Sequence, residues 1–416
     1  MTDRKVLDIG MFEIEQATLS NHTGTKTAPI GMLITDIAIN ESILSASVAA
    51  DITIYDTHAL TDEFPIIGEE MLEIKYTDYF GTTATLRLHV YAIDAVSTDD
   101  KSESQAYVLR CLSPDFITSE TTRIQQSFRG TISDMVQQVA SQYFVSKQID
   151  IEPTDGDRLF VIPSYTPVET MNFFARKALS TTNKSSNFLF FENREKYYFK
   201  THEQIIKDVK DNLPERNTFY FGETKLDITE RSTLMNHALK IDPKRRFNLV
   251  DELRTGAALV EVIQIDPAMR SFTPVVYDHG DEFGSYEHSD TKAKEYHTPD
   301  FRNKYLSKEN NVVTTFLTFE PTNEGEYAYS EIIPRRNSTS FYLRKNIIEM
   351  EIHGCNDIFA GSVINLVIPE MKFVNGDKED HPNLSGRYLV ETIHHYMSEK
   401  KWVMRMILLK DSFVNG

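Results

Sequence analysis

Residue types that could do chemistry are present in this chain, but their spacing matches no known site. His202 and Glu203 begin like the H-E-x-x-H motif of zinc proteases, but Ile206 stands where the second histidine is required. His394 and His395 are adjacent on a predicted strand, so their side chains point to opposite faces and do not share one metal ion. We therefore expect these two histidines to be exposed or to be held by neighbouring protein groups.

Acidic and thiol groups give no stronger signal. The acidic segment 377–381 lies between two predicted strands and lacks the spaced oxygen ligands and distal Glu of a calcium loop, so we expect a solvated turn. Cys111 and Cys355 have no CxxC companion, which argues against a zinc ribbon or a redox pair. Nothing singles out a carboxylate pair for glycoside hydrolysis among the 62 Asp and Glu residues. The sequence predicts no catalytic residue, no cofactor and no metal site.

The charge balance is acidic, which argues against a nucleic-acid-binding protein. The chain has 44 Lys and Arg against 62 Asp and Glu, a net charge of −18, whereas nucleic-acid binding needs a basic face. The basic clusters 244–246 and 335–336 are each expected to be a solvated loop. The N-terminus lacks the apolar core of a signal peptide, and no run approaches the roughly 18 apolar residues of a membrane span. We expect a soluble, cytoplasmically made chain of two to four domains, without a membrane anchor.

Two stretches of the chain, 34–116 and 347–413, look like copies of one small β-domain. Each has a strand-like run, a glycine turn into a second run, a short third run and a long closing strand that ends in a polar segment. The corresponding runs are 50–56 with 348–354, 67–74 with 360–367, 90–93 with 390–393, and 107–112 with 402–409. Equal element order with unequal loops is typical of a duplication, although two unrelated antiparallel domains would also share such a rhythm.

Between the two copies, the hydrophobic period changes to that of helices. Residues 131–144 carry one continuous apolar stripe, which predicts an amphipathic helix. A second helix, 166–179, begins with Thr166, Pro167 and Glu169, as in a capping box. A hairpin is predicted at 188–199. Residues 236–280 return to a strand pattern, and the polar stretch 281–340 has one clear strand, at 312–319.

The closing strand 402–409 is apolar on both faces. Arg405 is its only charge, whereas a strand with one solvated face alternates apolar with polar residues. We therefore predict that both faces are covered, one by the core of the domain and the other by a neighbouring domain or a second subunit. The two apolar sets are Trp402, Met404, Met406 and Leu408 on one face, and Val403, Ile407 and Leu409 on the other.

In their order along the chain and in their residue sequence, several of these motifs resemble the baseplate hub protein of contractile-tailed bacteriophages. The resembling segments are 52–57 with 62–70, the helix at 128–136, 162–167 with its helix, and the ending 385–390 through 408–412. They are spread over most of the chain, but 281–340 matches nothing in that family.

The resemblance implies a fold and an assembly. Hub proteins of this family are trimers whose two tube-like β-barrels per chain form a ring of six, joining a six-fold tail tube to a three-fold central spike. We therefore predict a mainly β fold with an α+β insertion, made of two duplicated tube-like antiparallel β-barrel domains plus two smaller accessory domains. The predicted boundaries are 1–114 for the first barrel, 115–235 for the α+β insertion, 236–280 with 341–416 for the second barrel, and 281–340 for a polar accessory domain.

The resemblance also implies a structural, non-enzymatic role in the tail baseplate of a virion assembled in the host cytoplasm. The implied partners are two further copies of the chain, a separate central spike protein, a tail tube or tube-initiator protein, other baseplate proteins, and DNA in transit. A negatively charged lumen would let DNA, with one charge per ~1.7 Å of duplex, pass without sticking. The alternatives are a tail-associated cell-wall-degrading enzyme and, less favoured, a carbohydrate-binding protein, because the sole Trp402 lies in a buried-looking strand.

Overall fold

A computed structural model shows a mainly β protein, as predicted. It describes residues 7–57, 60–99, 104–222, 231–245, 247–266, 270–290, 293–306, 313–319, 329–374 and 377–412. Parts of the 281–340 stretch and the end of the chain therefore lie outside the described residues. Among the described helices, none is long and apolar enough to cross a membrane.

The N-terminal part of the chain forms seven strands and one short helix. Alternating burial along these strands places one face on the core, as the period-two pattern predicts. The strands are β1 Glu13–Ser20, β2 Thr27–Pro29, β3 Ile34–Ser42, β4 Ala49–Asp56, β5 Met71–Thr77, β6 Thr83–Asp99 and β7 Ser104–Leu112, with helix α1 at Leu60–Glu63.

The middle of the chain is an α+β unit with an aromatic core. Thr166 and Glu169 form the predicted capping box, and Thr131 caps the preceding helix by accepting from the Asp134 amide. The second helix ends at Lys177, two residues before the predicted end. The elements are α2 Pro114–Thr121, β8 Ile124–Gly130, α3 Ile132–Tyr143, β9 Ile149–Ile151, β10 Arg158–Tyr165, α4 Pro167–Lys177, β11 Phe188–Glu192, β12 Tyr197–Thr201, α5 His202–Val209 and β13 Thr218–Tyr220.

The next part, about 231–343, carries one small sheet of its own. Strands β15 and β16 pair with each other and with β17, rather than with the large sheet described below. The domain boundaries as a whole remain a prediction. The elements are α6 Arg231–Met235, β14 Lys240–Arg245, α7 Leu249–Thr255, β15 Leu259–Asp266, β16 Ser271–Asp278, α8 His279–Glu282, α9 Pro299–Tyr305, β17 Val313–Phe319 and α10 Tyr329–Leu343.

The last part returns to long strands. The acidic segment 377–380 was predicted to be a turn, but it is strand β21, which pairs with β20 in a separate hairpin. The basic pair 335–336 was predicted to lie in a loop, but it lies within α10, where both arginines donate to backbone carbonyls of other segments. The strands are β18 Asn346–His353, β19 Val363–Val367, β20 Pro369–Val374, β21 Asp377–Asp380, β22 Gly386–Ser398 and β23 Lys401–Lys410.

Both ends of the chain contribute to one 13-stranded sheet. Its order is β14-β18-β23-β22-β3-β4-β7-β6-β5-β1-β2, with β19 and β13 branching from β22. We call β1–β7 the first half and β13, β14, β18, β19, β22 and β23 the second half. One hydrophobic core spans both halves, and the rings of Tyr76 and Trp402 meet edge-on at 5.6 Å across it.

The two halves repeat the same strand pairing. The order β3-β4-β7-β6-β5 in the first half corresponds to β14-β18-β23-β22-β19 in the second. Each half also has a register shift at the same place, between Val90 and Ala92 in β6 and between Val390 and Thr392 in β22. These agreements support the predicted duplication. The halves differ at their outer strands, because β1 is antiparallel to β5 whereas β13 is parallel to β19.

Candidate assembly surface at the junction of the two halves

The two halves are joined edge to edge by backbone pairing. The last seven residues of β22, from Thr392 to Ser398, pair antiparallel with β3 from Ser42 back to Asp36. Side chains add to this ladder: the Ser42 and Thr392 hydroxyls lie 3.0 Å apart, and the His394 imidazole contacts the Asn40 amide oxygen. An exposed strand edge is a template for further pairing, and here each half uses its edge to hold the other.

Arg194, in the turn between β11 and β12, connects the α+β unit to this junction through an ion pair and hydrogen bonds. Its guanidinium is buried, with five per cent of the side chain exposed. It contacts groups from both halves of the sheet. Its bonds run to Glu41 Oε1 at 2.5 Å, the Tyr76 hydroxyl at 2.9 Å, Asn356 Oδ1 at 3.0 Å and the Ile358 carbonyl at 2.9 Å.

Glu41 and His395 complete a buried charged cluster around Arg194. Burial would raise the pKa of Glu41, but the Arg194 charge and the His395 hydrogen bond lower it to about 2. Burial lowers the pKa of His395, and the Arg194 charge lowers it further, to about 4. The Trp402 Nε1–H donates to His395 Nδ1, so the neutral imidazole carries its proton on Nε2, 3.0 Å from Glu41. The cluster is therefore an ion pair held by a neutral histidine.

A second buried cluster fastens the segment after α8 to the end of β23. Lys410 is fully buried, lies 2.8 Å from the Asp290 carboxylate and donates to the Ser385 carbonyl at 2.6 Å. Asp411, the next residue, accepts from His288 at 2.8 Å. From sequence, the polar end of the closing strand was interpreted only as the end of the strand. In the structure, Lys410 and Asp411 hold the segment after α8 in place.

The open face of the sheet, opposite the core, is polar and carries many carboxylates. Arg110 bridges Asp51 and Asp94, and Arg405 bridges Glu349 and Glu351. Asp36, Asp242, His394 and Tyr396 lie on the same face, because they occupy the same alternation of their strands. Val403 and Ile407 are half-buried here. Leu409 is buried in a cluster with residues of the α+β unit, and Ile407 packs against the same cluster. The predicted second cover of the closing strand is therefore partial within one chain.

Two stretches of strand edge are unpaired among the residues that the structure describes. In β22, the first residues pair with β19 and the last seven with β3. In β6, the first residues pair with β5 and the Val90 amide donates to the Glu70 carbonyl, but the part from Tyr91 to Asp99 has only β7 as a described neighbouring strand. Strand β14 likewise has only β18 as a described neighbour.

The residues singled out from sequence as possible chemistry do not form a site. His202 and Glu203 begin α5, and the buried Glu203 accepts from the Ser185 hydroxyl at 2.7 Å. His394 and His395 point to opposite faces, as predicted. Over the described ranges, no group of three or more His, Cys, Asp or Glu is placed to hold a metal ion. Burial raises the pKa of Cys355 to about 12, so this thiol is inert at neutral pH.

Sequence reasoning missed the clusters around Arg194 and Lys410. Glu41, Arg194 and His395 lie in three segments far apart in the chain, and no local pattern connects them. The one available signal was a charged residue at an apolar phase of a strand, since Glu41 follows Ile37 and Ile39 on the core face of β3.

Comparison with known proteins identifies the fold. No protein-family model matches the sequence, and no curated protein matches it either. Among solved structures, the chain resembles the tail protein from Neisseria meningitidis MC58, with a TM-score of 0.56 and 9% identity over 95% of this chain and 97% of that one. It also resembles the 43 kDa tail protein of prophage MuSo2 from Shewanella oneidensis, with a TM-score of 0.55 and 11% identity over 95% and 98% of the two chains. The chain therefore has the fold of these tail proteins over nearly its whole length.

Proposed function

We propose that this chain is a structural baseplate hub protein of a contractile phage tail. Three copies form a ring of six similar halves, which joins a six-fold tail tube to a three-fold central spike and leaves a channel for DNA. The observation that carries the proposal is the repeated strand pairing of the two halves, β3-β4-β7-β6-β5 and β14-β18-β23-β22-β19, in a chain with a tail-protein fold.

The repeat matters because it converts a three-fold assembly into a pseudo-six-fold one. Oligomers of identical chains usually close with a rotational symmetry, and a trimer of single domains presents three equivalent surfaces. A trimer of two-domain chains presents six. The junction between β22 and β3 shows how one half holds the next within a chain.

The proposed partners follow from that geometry. They are two further copies of this chain, a central spike protein, a tail tube or tube-initiator protein and other baseplate proteins, all within the virion tail. Assembly takes place in the host cytoplasm. The role is structural, and the buried clusters around Arg194 and Lys410 hold units together rather than face a substrate.

The open face of the sheet is the candidate wall of the channel. Asp36, Asp51, Asp94, Glu349 and Glu351 lie on it, and much of their charge is shared with Arg110 and Arg405. A wall with a negative surplus would repel duplex DNA, which carries one negative charge per ~1.7 Å. Mapping the potential of the assembled lumen tests this, since a basic lumen would contradict it.

The assembly is tested by imaging the purified chain in negative stain without imposed symmetry, and by native mass spectrometry. We expect three chains per particle and a ring with six lobes around a channel. The alternative of a cell-wall-degrading enzyme is tested by adding peptidoglycan, and we expect no solubilisation. A monomeric particle that solubilises peptidoglycan would reverse the proposal.

A further inference from the structure

Lys410 and Asp290 lie against each other in the interior of the chain. The Lys410 side chain is fully buried, the Asp290 side chain is seven per cent exposed, and Lys410 Nζ lies 2.8 Å from Asp290 Oδ2. Lys410 is the last residue of β23, whereas Asp290 belongs to the segment after α8, far earlier in the chain. The fold therefore brings an amine and a carboxyl group from distant segments into contact.

The contact differs from a well-formed buried salt bridge. Although Nζ is close to it, Asp290 Oδ2 has no hydrogen-bond partner among the groups that the structure describes. Nζ donates instead to the Ser385 carbonyl, at 2.6 Å. A buried ion pair repays its loss of hydration only when hydrogen bonds satisfy its remaining lone pairs. The charged forms of Lys410 and Asp290 are therefore less well stabilised than those of a fully hydrogen-bonded pair.

The other carboxyl oxygen of Asp290 is held by the backbone. The Arg387 N–H donates to Asp290 Oδ1 at 2.8 Å. A fixed N–H in this position polarises a carbonyl group and stabilises the negative charge that develops on its oxygen when a nucleophile attacks. The two oxygens are thus in different surroundings. Oδ1 is placed as the carbonyl oxygen, and Oδ2, beside the amine, is placed as the leaving oxygen.

Gly386 allows the backbone of β22 to approach the pair closely. A Cβ at this position would lie 2.6 Å from Lys410 Nζ and 2.7 Å from Asp290 Oδ1, and the φ of Gly386 is +124°. On another side, the buried ring of Tyr388 has its centroid 5.3 Å from Nζ. Backbone and an aromatic ring therefore enclose the two groups and keep water from the carboxyl carbon.

Burial also favours the uncharged form of the Asp290 carboxyl group. It raises the pKa of Asp290, and the charge of Asp411 acts in the same direction, whereas the charge of Lys410 only partly opposes them. Passage of one proton from Nζ to Oδ2 gives a neutral amine and a neutral carboxylic acid. These are the forms that nucleophilic attack by an amine on a carboxyl carbon requires.

We infer that Lys410 and Asp290 condense to an intramolecular isopeptide bond after the chain has folded. The Nζ lone pair forms a bond to Asp290 Cγ, and the negative charge that develops on Oδ1 is stabilised by the Arg387 N–H. The bond between Cγ and Oδ2 then breaks, and Oδ2 leaves as water with the acid proton and one proton from Nζ. The product is a secondary amide whose remaining N–H faces the Ser385 carbonyl. No other reactant is needed, and the structure shows the pair before the bond forms.

A second buried pair, Lys345 with Glu252, lacks these features. Lys345 Nζ donates to Glu252 Oε2 at 2.7 Å, and Glu252 Oε1 is bonded to the Tyr342 hydroxyl and the His297 ring. Burial alone would raise the pKa of Glu252, but these partners lower it to about 2. Glu252 therefore remains a carboxylate, which amines do not attack, and we expect no bond at this pair.

The bond ties the segment after α8 to the closing strand of the second half of the sheet. It restricts the unfolded chain in the way that a disulfide does, and it persists in a reducing solution. The described cysteines of the chain, Cys111 and Cys355, are free. The inference goes beyond the proposed function, because it concerns one chain and does not depend on the three-chain ring.

Mass spectrometry of the purified full chain tests the inference. After the wild type has been kept folded at neutral pH, we expect a denatured mass lower than that of its sequence by one water molecule. Digestion should then release a branched peptide that joins the segments containing Asp290 and Lys410. The matched control is Lys410→Arg, which keeps a cation beside Asp290 but has no amine to condense, so it should have its full sequence mass. Lys345→Arg should still lose the water, because that pair is not the one linked.

Two outcomes would overturn the inference. The first is a wild type of full sequence mass, with Asp290 and Lys410 recovered in separate linear peptides. This measurement needs no variant, so it is decisive even if a variant fails to fold. The second is a loss of water that persists in Lys410→Arg, because an aspartate also loses water by closing onto its own backbone. Neither outcome affects the three-chain ring, which native mass spectrometry and imaging measure separately.

Discussion

Arg194 and Glu41 form an ion pair at 2.5 Å in which both side chains are almost completely buried. Arg194 belongs to the α+β unit and Glu41 to β3, the strand that joins the two halves of the sheet. The pair therefore connects the insertion to the junction. Arg194 also bonds to Tyr76 and Asn356, and Glu41 also contacts His395, so the pair has partners in both halves of the sheet.

Replacing Arg194 with Met should destabilise the chain strongly. Removing one partner of a buried pair leaves the other charge uncompensated, which costs about 3–5 kcal/mol. Urea unfolding followed by Trp402 fluorescence measures the change, because this single tryptophan lies beside the cluster. Arg87→Met is the matched control, since Arg87 forms an exposed pair with Glu73 and should change little. Equal stability of the two variants would contradict this role of Arg194.

Stability should fall as the pH drops from about 6.5 to about 4, because His395 is held neutral in the folded chain. Its folded pKa, about 4, lies below its ordinary value of 6.5, so the unfolded chain binds the proton first and unfolding is favoured through this window. Glu41 adds a second loss between about 4.5 and 2, where its unfolded form takes up a proton before its folded form does.

The variant His395→Gln separates this contribution from those of other histidines. Urea midpoints of the wild type and the variant at pH 7, 5.5 and 4.5 give the comparison. The wild type should lose up to about 3 kcal/mol more than the variant across this range, as expected when the folded pKa of His395 lies near 4 rather than 6.5. Parallel pH profiles would show that His395 is not the group responsible.

Replacing Lys410 with Met should loosen the segment that follows α8. The substitution leaves the buried Asp290 carboxylate without its cation, and the Ser385 carbonyl loses its donor. Hydrogen exchange should then speed up around residues 283–290 while the α+β unit keeps its protection. Lys184→Met, which removes an exposed pair with Asp155, provides the control. Unchanged exchange near Asp290 in the Lys410 variant would argue against the anchor.

The chain should not degrade peptidoglycan. A cleft of about 740 Å³ beside the end of β22 is lined by four acidic residues, Asp8, Glu13, Asp36 and Glu399, so it is a place to test the alternative of an enzyme. Turbidity of purified cell walls should stay constant with the wild type and with Asp36→Asn alike. Clearing by the wild type that is lost in the variant would establish an active site there.

Local patterns predicted the elements that are built from neighbouring residues. The capping box of Thr166 and Glu169 and the opposed faces of His394 and His395 follow from spacing alone, and the structure has both. Helix α10 was not predicted, because Pro334 and a mixed polar sequence hide its period. The acidic strand β21 was mistaken for a turn, since its run of charge is atypical of strands.

What the sequence did not contain was the contact between distant segments. Pairing of β22 with β3 joins residues about 350 positions apart, and the sequence of neither strand indicates which strand is its partner. The same holds for Lys410, whose burial is set by Asp290 and Ser385 rather than by its neighbours in the strand.

The central claim, a three-chain ring of six similar halves, is tested most directly by imaging the purified wild-type chain without imposed symmetry. The account predicts ring-shaped particles with a central channel, six lobes and a mass of three chains. Compact monomers at all concentrations, with two lobes and no channel, would contradict it.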